Sequence, residues 1–269
     1  MLKGSRIEKI KEALISGEFE KFRSALCAVS KLDIRIPYTL NHKPAWFPLI
    51  NLALYLGHSH FLPLLIEQGA PLDHRIELKG EISRNGVTLL PFVKKDEDLL
   101  MLLRAGLSWH VHPGEGYSDL VIHQAARYGL HQSMEWLFKG GEYVDLKNKD
   151  NETPLQVLLG TDISMDISDK LKTLHLLLSQ SPRLDIEDKE GWSLLHRASH
   201  CFPAAIIPLI KAGANFKTLD NDNLTIFDYL KQEIQIEKNR NQDRLMAFLY
   251  INGLMQNKVK SNPWIGPSS

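Results

Sequence analysis

Cysteine, an excess of either charge and long apolar runs are all scarce in this chain of 269 residues. Its two cysteines, Cys27 and Cys201, are too few for a disulfide framework and indicate a reducing compartment. Lysine plus arginine equals aspartate plus glutamate at 32 each, so the basic excess typical of nucleic-acid binders and membrane-surface helices is missing. No apolar run reaches the roughly 18 residues of a membrane span, and residues 1–10 lack the apolar core of a signal peptide. We therefore expect a cytoplasmic protein with no nucleic-acid partner and no membrane insertion.

The sequence also lacks motifs that carry catalysis or bind cofactors. It has no GxGxxG, GxxxxGK[ST], HExxH, CxxC or GxSxG pattern. His196 and His200 have a spacing that can hold zinc on a helix, but a structural role explains them more simply. We expect no catalytic residue, no cofactor and no metal site. One alternative stays open, an enzyme with a non-standard site in the insertions 74–87 or 160–170 or around His196, His200 and Cys201.

A repeated pattern fills most of the chain. A short Thr-Pro-Leu-His-like stretch is followed by two helix-like segments, a glycine near their end and a polar connection. The best-kept copies are PLINLALYLGHSHFLPLLIEQGAPLD (48–73), LVIHQAARYGLHQSMEWLFKGGEYVDL (120–146) and SLLHRASHCFPAAIIPLIKAGAN (193–215). The fourth slot of the motif falls at Asn51, Pro91, His123, Gln156, His196 and Asp228, with spacings of 40, 32, 33, 40 and 32 residues. A period of about 33 residues is typical of stacked two-helix repeats.

These copies resemble the ankyrin repeat, whose consensus is roughly TPLH-LAA-xx-GH-xxxVxxLL-xx-GA-D. The resemblance covers about residues 48–254. It implies an all-α fold, an ankyrin-repeat solenoid of stacked helix-turn-helix units with β-hairpin-like finger loops. We expect an N-terminal helical cap over 1–35, an array of five to six repeats over 36–255 whose last repeat is a cap, and a flexible tail over 256–269.

Local chemistry supports the same division. Thr153 and Ser193 have side chains that cap helix N-termini, and Pro154 is tolerated at a first helical position. A single two-helix unit cannot bury its apolar face alone, so stability is expected to come from the interfaces between neighbouring repeats.

The resemblance implies a protein–protein interaction scaffold that is not an enzyme. In this family a partner usually binds the concave face, which consists of the finger tips and the exposed side of each first helix. Alignment assigns the following partner-binding residues: Tyr55, Arg127, Tyr128, Lys147, Lys149, Glu152, Glu187, Lys189, Trp192 and His200. Trp192, Tyr128 and Arg127 are the expected anchors, because these residue types are enriched at binding hot spots; packing across a finger is the alternative for Trp192.

The expected partner is a protein, since fingers of mixed charge favour specific protein recognition over binding of a polyanion. We expect the chain to be a monomer. Degenerate arrays of this size with a short tail also look similar to effectors of intracellular bacteria such as Legionella. This similarity suggests the narrower hypothesis of an effector delivered into the cytoplasm of a host cell.

Overall fold

The computed structural model describes residues 2–27, 29, 32–78, 86–110, 118–161, 166–237 and 242–260. Its helices are α1 (Leu2–Ser16), α2 (Phe19–Leu26), α3 (Leu49–Tyr55), α4 (Leu62–Glu67), α5 (Asp96–Arg104), α6 (Val121–Arg127), α7 (His131–Lys139), α8 (Pro154–Gly160), α9 (Ile167–Ser179), α10 (Leu194–Cys201), α11 (Ile206–Lys211), α12 (Ile226–Glu237) and α13 (Gln242–Lys260). Short 3-10 turns span Ser59–Phe61, Leu90–Phe92 and Pro203–Ala205. The strands are β1 (Arg35–Leu40), β2 (Lys43–Pro48) and β3 (Glu77–Leu78).

The repeat phase predicted from the sequence is confirmed by the helix boundaries. Five of the slot residues are the third residue of a first helix, namely Asn51 in α3, His123 in α6, Gln156 in α8, His196 in α10 and Asp228 in α12. Pro91 lies instead in the 3-10 turn Leu90–Phe92. The first helix of this second repeat is thus reduced to one turn, because its copy of the motif is shortened.

Three of the first helices begin with a reciprocal cap. In each, the backbone amide of the Ser or Thr before the helix donates to the side chain at the fourth position of the motif. This hydrogen bond pairs one of the backbone amides that the start of a helix leaves without a partner. The pairs are Thr153–Gln156 at 3.0 Å, Ser193–His196 at 3.1 Å and Thr225–Asp228 at 2.9 Å. The predicted N-cap positions of Thr153 and Ser193 are therefore confirmed.

The expectation of an all-α fold was incomplete, because the described residues include a small antiparallel sheet in the order β1-β2-β3. Asn41 and His42 both have positive φ, at 49° and 65°, and form the tight turn between β1 and β2. Pro37 and Pro44 interrupt the strand pattern in the sequence, since proline is unusual within sheets. These prolines and a turn without glycine concealed the hairpin, whose first strand begins at the predicted end of the cap.

The chain divides into two compact units, Met1–Glu142 with Lys147–Asn151 and Tyr143–Leu146 with Glu152–Ser269. The first unit contains α1 to α7 and the sheet; in it, Phe22 of α2 packs on Phe61 with ring centroids 4.4 Å apart.

The second unit contains α8 to α13, and its α10 packs against both α8 and α12. At its end, Phe227 of α12 stacks on Phe248 of α13 at 4.6 Å. Helix α13 continues to Lys260, five residues into the predicted tail, and residues 261–269 lie outside the described residues. No helix in the described part of the chain has the length and apolarity that a bilayer crossing requires.

Candidate protein-binding surface

Three inter-repeat fingers share one turn design. An Asn or Asp side chain accepts a hydrogen bond from the backbone amide two residues later, and the residue three positions later has positive φ. The acceptors are Asn148 at 3.0 Å, Asp188 at 3.1 Å and Asp220 at 2.9 Å, and the positive-φ residues are Asn151, Gly191 and Asn223. Each turn leaves two residues at the finger tip, which are positions 149–150, 189–190 and 221–222.

In the second unit, the finger carboxylates also bind the first helices. The Nε of Arg197 donates to Asp188 at 3.0 Å, and its Nη1 donates to Glu152 at 2.7 Å. The hydroxyl of Tyr229 donates to Asp220 at 2.6 Å. This hydrogen bond raises the pKa of Tyr229 to about 12 and lowers the pKa of Asp220. The fingers are therefore held on the helices by charge-assisted hydrogen bonds.

The second unit carries an aromatic cluster where its fingers meet its first helices. Trp192 is half-buried and lies edge-on to two rings, to His200 with centroids 6.1 Å apart and to Tyr229 at 5.8 Å. Tyr229 in turn lies edge-on to His196 at 5.4 Å. Trp192 thus packs against rings of two first helices and is also partly exposed.

The remaining residues predicted in the second unit differ in their exposure. Glu187 and Lys189 are exposed on the finger, and the exposed His200 has its Nδ1 3.7 Å from Glu233. Glu152 is only half-buried, but its carboxylate is the partner of Arg197. A partner could therefore reach Glu187 and Lys189 directly, whereas Glu152 is already engaged within the fold.

In the first unit, Tyr55 and Tyr128 line one groove of about 490 Å³. Phe92 and Lys95 lie in the same groove, and the ring of Tyr55 is edge-on to Phe92 at 5.3 Å. Burial raises the pKa of Tyr128, so its phenol stays neutral at physiological pH. The fold thus brings these two predicted residues together.

Of the other residues predicted in the first unit, Arg127 binds a buried carboxylate and two lysines lie on the finger. Asp119 accepts hydrogen bonds from Arg127 at 2.5 Å and from Asn148 of the finger at 2.9 Å. Lys147 and Lys149 are exposed on that finger. Arg127 is therefore a partner of Asp119 within the fold as well as a candidate contact.

Sequence reasoning missed several residues of these surfaces, notably Arg197, Tyr229 and Phe92. Each occupies the position directly after a slot residue, as Arg197 follows His196 and Tyr229 follows Asp228. A comparison of this position across the repeats could have singled them out.

The enzyme alternative gains no support from the residues that carried it. The Nδ1 of His196 is held by Ser193, burial lowers the pKa of the imidazole, and the neighbouring Cys201 is half-buried. Among the described residues, no group of three or more His, Cys, Asp or Glu side chains could hold a metal ion. Within the two insertions, residues 79–85 and 162–165 lie outside the described part of the chain.

Comparisons with known proteins agree with this architecture at the level of fold. No family model matches the sequence, and no curated protein matches it. Among the solved structures that match is the crystal structure of the ankyrin repeat domain of Bcl-3, described as a unique member of the IkappaB protein family. It is 18% identical, with a TM-score of 0.53 over 81% of this chain and 92% of that chain. The chain therefore has the ankyrin-repeat fold, with a small sheet added to it.

Proposed function

We propose that this chain is a protein-binding scaffold that holds a protein partner with its finger tips and first helices. The observation that carries the proposal is the position of Trp192, a half-buried indole beside the finger and first helix of its repeat. Tryptophan is among the residues that most often dominate binding energy, typically by about 2 kcal/mol or more. Its proposed role is that of a central anchor.

The surroundings of Trp192 support this role because they are preorganised. Its backbone amide donates to Asp188 at 2.8 Å, and Arg197 holds the same carboxylate. A neighbouring finger lies directly against this one, since a Cβ added to Gly191 would meet Asn221 at 2.5 Å. A rigid surface loses little conformational entropy on association, which favours affinity.

Alanine variants at Trp192 and Tyr128 test the proposal. Tagged wild-type chain, Trp192→Ala, Tyr128→Ala and the double variant are incubated with lysate, and captured proteins are quantified by mass spectrometry. We expect one or more proteins to be captured stoichiometrically by the wild type and lost from the double variant, while the circular dichroism spectra of the variants remain those of the wild-type fold.

Tyr143→Ala is the matched control, because Tyr143 is an aromatic residue with 60% exposure that lies outside the fingers and first helices. It should capture the same proteins as the wild type. Equal capture by the double variant and the control would contradict the assigned surface.

The monomeric state, the cytoplasmic location and the effector role stay predictions from the sequence. The absence of an enzymatic activity and of a cofactor also stays a prediction. For the effector role, a delivery assay should use a chain that ends at Lys260, since a shorter chain would cut into α13. Unchanged delivery would show that residues 261–269 carry no export signal.

A further inference from the structure

The fingers of the second unit have an excess of negative charge that the chain as a whole lacks. Residues 184–193 and 216–225 contain six carboxylates and two lysines. Two arginines pair with finger carboxylates: Arg197 is bound to Asp188 and Glu152, and Arg183 is bound to Asp185. This surface therefore attracts cations, although the net charge of the sequence is zero.

Three of these carboxylates remain available to a partner. Glu187, Glu190 and Asp222 are all exposed, and within the described residues no basic nitrogen lies within 4.0 Å of any of them. They come from neighbouring fingers, whose tips are joined by a hydrogen bond of 3.5 Å from the side-chain amide of Asn221 to the backbone carbonyl of Lys189. Because the fingers touch, one extended segment could meet carboxylates of both.

Trp192 and Tyr229, both half-buried, place aromatic rings beside this negative charge, since the Trp192 backbone amide and the Tyr229 hydroxyl both donate to finger carboxylates. A lysine or arginine within about 6 Å of such a ring is attracted to its face, and tryptophan is the strongest of the aromatic residues in this respect. The polar end of Tyr229 is already satisfied by Asp220, and with a pKa of about 12 the phenol stays neutral. The ring of Tyr229 is thus held in place by the hydrogen bond of its hydroxyl and by its contacts with Trp192 and His196.

We infer that the second unit recognises a basic, extended segment of its protein partner, with a lysine or arginine side chain against Trp192 and Tyr229 and neighbouring cations near Glu187, Glu190 and Asp222. The inference rests on the proposed function and adds the chemistry of the partner to it. Carboxylates near the ring neutralise the incoming cation, while the ring lowers the cost of its partial desolvation.

A peptide titration of the full chain tests the inference. The probe is a peptide of repeated Gly-Arg-Ser units, and the matched control contains citrulline, a neutral isostere, at each arginine. Binding is followed by the ¹⁵N–¹H signals of the indoles, and a Trp192→Phe variant assigns Trp192 among the five tryptophans. We expect the arginine peptide to shift this signal and to bind about tenfold more tightly than the citrulline peptide.

Two sets of variants separate the ring from the charges. Trp192→Leu keeps an apolar side chain without a π face and should weaken binding of the arginine peptide several-fold, whereas Trp192→Phe should retain most of it. The triple variant Glu187→Gln, Glu190→Gln and Asp222→Asn should weaken it about tenfold and flatten its dependence on salt.

A second triple variant removes the same net charge elsewhere. It changes three exposed carboxylates of the first unit, and should bind within about twofold of the wild type because none of them belongs to the proposed binding surface. Its substitutions are Glu20→Gln, Glu67→Gln and Glu135→Gln. Equal affinity for the arginine and citrulline peptides, or equal losses in the two triple variants, would overturn the inference. If the Tyr128 and Trp192 variants still lose their captured partner in that case, the scaffold proposal stands and only the basic segment is wrong.

Discussion

The first helices of the two units begin in different ways. In the second unit, the slot residue of every first helix closes a hydrogen-bonded cap with the Ser or Thr before the helix. In the first unit, α3 and α6 follow Pro48 and Leu120, which have no side chain that can cap a helix. Asn51 reaches instead to the carbonyl of His74 at 3.3 Å. The fourth position of the motif thus stays the third residue of its helix even where its side chain no longer takes part in a cap.

The first unit has other contacts in place of the missing caps. Its sheet contributes Phe47, which is fully buried and contacts the rings of Tyr38 and Tyr55 at 6.0 and 5.2 Å. Arg35 of β1 donates to the carbonyl of Arg75 at 2.8 Å and so connects the sheet to the following segment. The comparison indicates that the fold requires a covered apolar face, which different residues can provide, and that a first helix can form without a side-chain cap.

The largest expected effect tests whether the sheet is part of the core of the first unit. Phe47→Ala should lower the free energy of unfolding by about 3–5 kcal/mol, because it removes a buried aromatic side chain and leaves a cavity. Trp46→Ala is the control on the same strand, since Trp46 is 44% exposed, and it should cost about 1 kcal/mol or less. Urea unfolding followed by circular dichroism measures both, and a loss for Phe47→Ala of about 1 kcal/mol or less would mean that the sheet adds little to the core.

The sequence allowed the repeat phase and the caps of α8 and α10 to be predicted. These features depend on contacts between residues a few positions apart, such as Thr153 with Gln156, and such contacts leave a pattern in the sequence. The β1-β2 hairpin could not be predicted, because its stability comes from Phe47 packing on residues elsewhere in the unit.

The binding surface could be predicted only in part, for the same reason. Trp192 and His200 were assigned by alignment, but Tyr229 joins them from the next repeat, so the aromatic cluster depends on how the repeats stack. The engagement of Glu152 by Arg197 is likewise a contact between repeats. A residue that would be exposed in a single repeat can therefore already be hydrogen-bonded to a side chain of the neighbouring repeat.

A smaller effect is expected from Arg197, which links neighbouring repeats of the second unit. Arg197→Met keeps the apolar stem but removes the guanidinium that Asp188 and Glu152 share, and should cost about 2 kcal/mol, given a side-chain exposure of 17%. Arg183→Met removes an exposed pair with Asp185 and should cost less than about 0.5 kcal/mol. Similar midpoints of urea unfolding for the two variants would contradict the idea that the second unit depends on this inter-repeat pair.

The smallest effect concerns the side chain at the fourth position of the motif in α10, His196, and appears only in how stability depends on pH. Burial lowers the pKa of His196 below its ordinary value of 6.5, so protonation favours the unfolded chain. The stability that neutral His196 provides is fully present above pH 6.5 and is lost as the pH falls towards its lower folded pKa. His196→Gln places in α10 the residue that α8 has at Gln156, which accepts the same backbone hydrogen bond at 3.0 Å. At pH 8 we therefore expect the variant to unfold within about 1 kcal/mol of the wild type.

Between pH 6.5 and 5, the stability of the wild type should fall more steeply than that of His196→Gln, by at most about 1.4 kcal/mol per pH unit for one proton. Urea unfolding at a series of pH values measures this difference. His175→Gln, at an exposed histidine of α9, should keep the slope of the wild type. A His196→Gln variant with that same slope would show that the cap of α10 does not require a neutral imidazole. A protonated histidine would then be tolerated at the fourth position of the motif. The second unit, like the first, would not depend on one particular cap at this position.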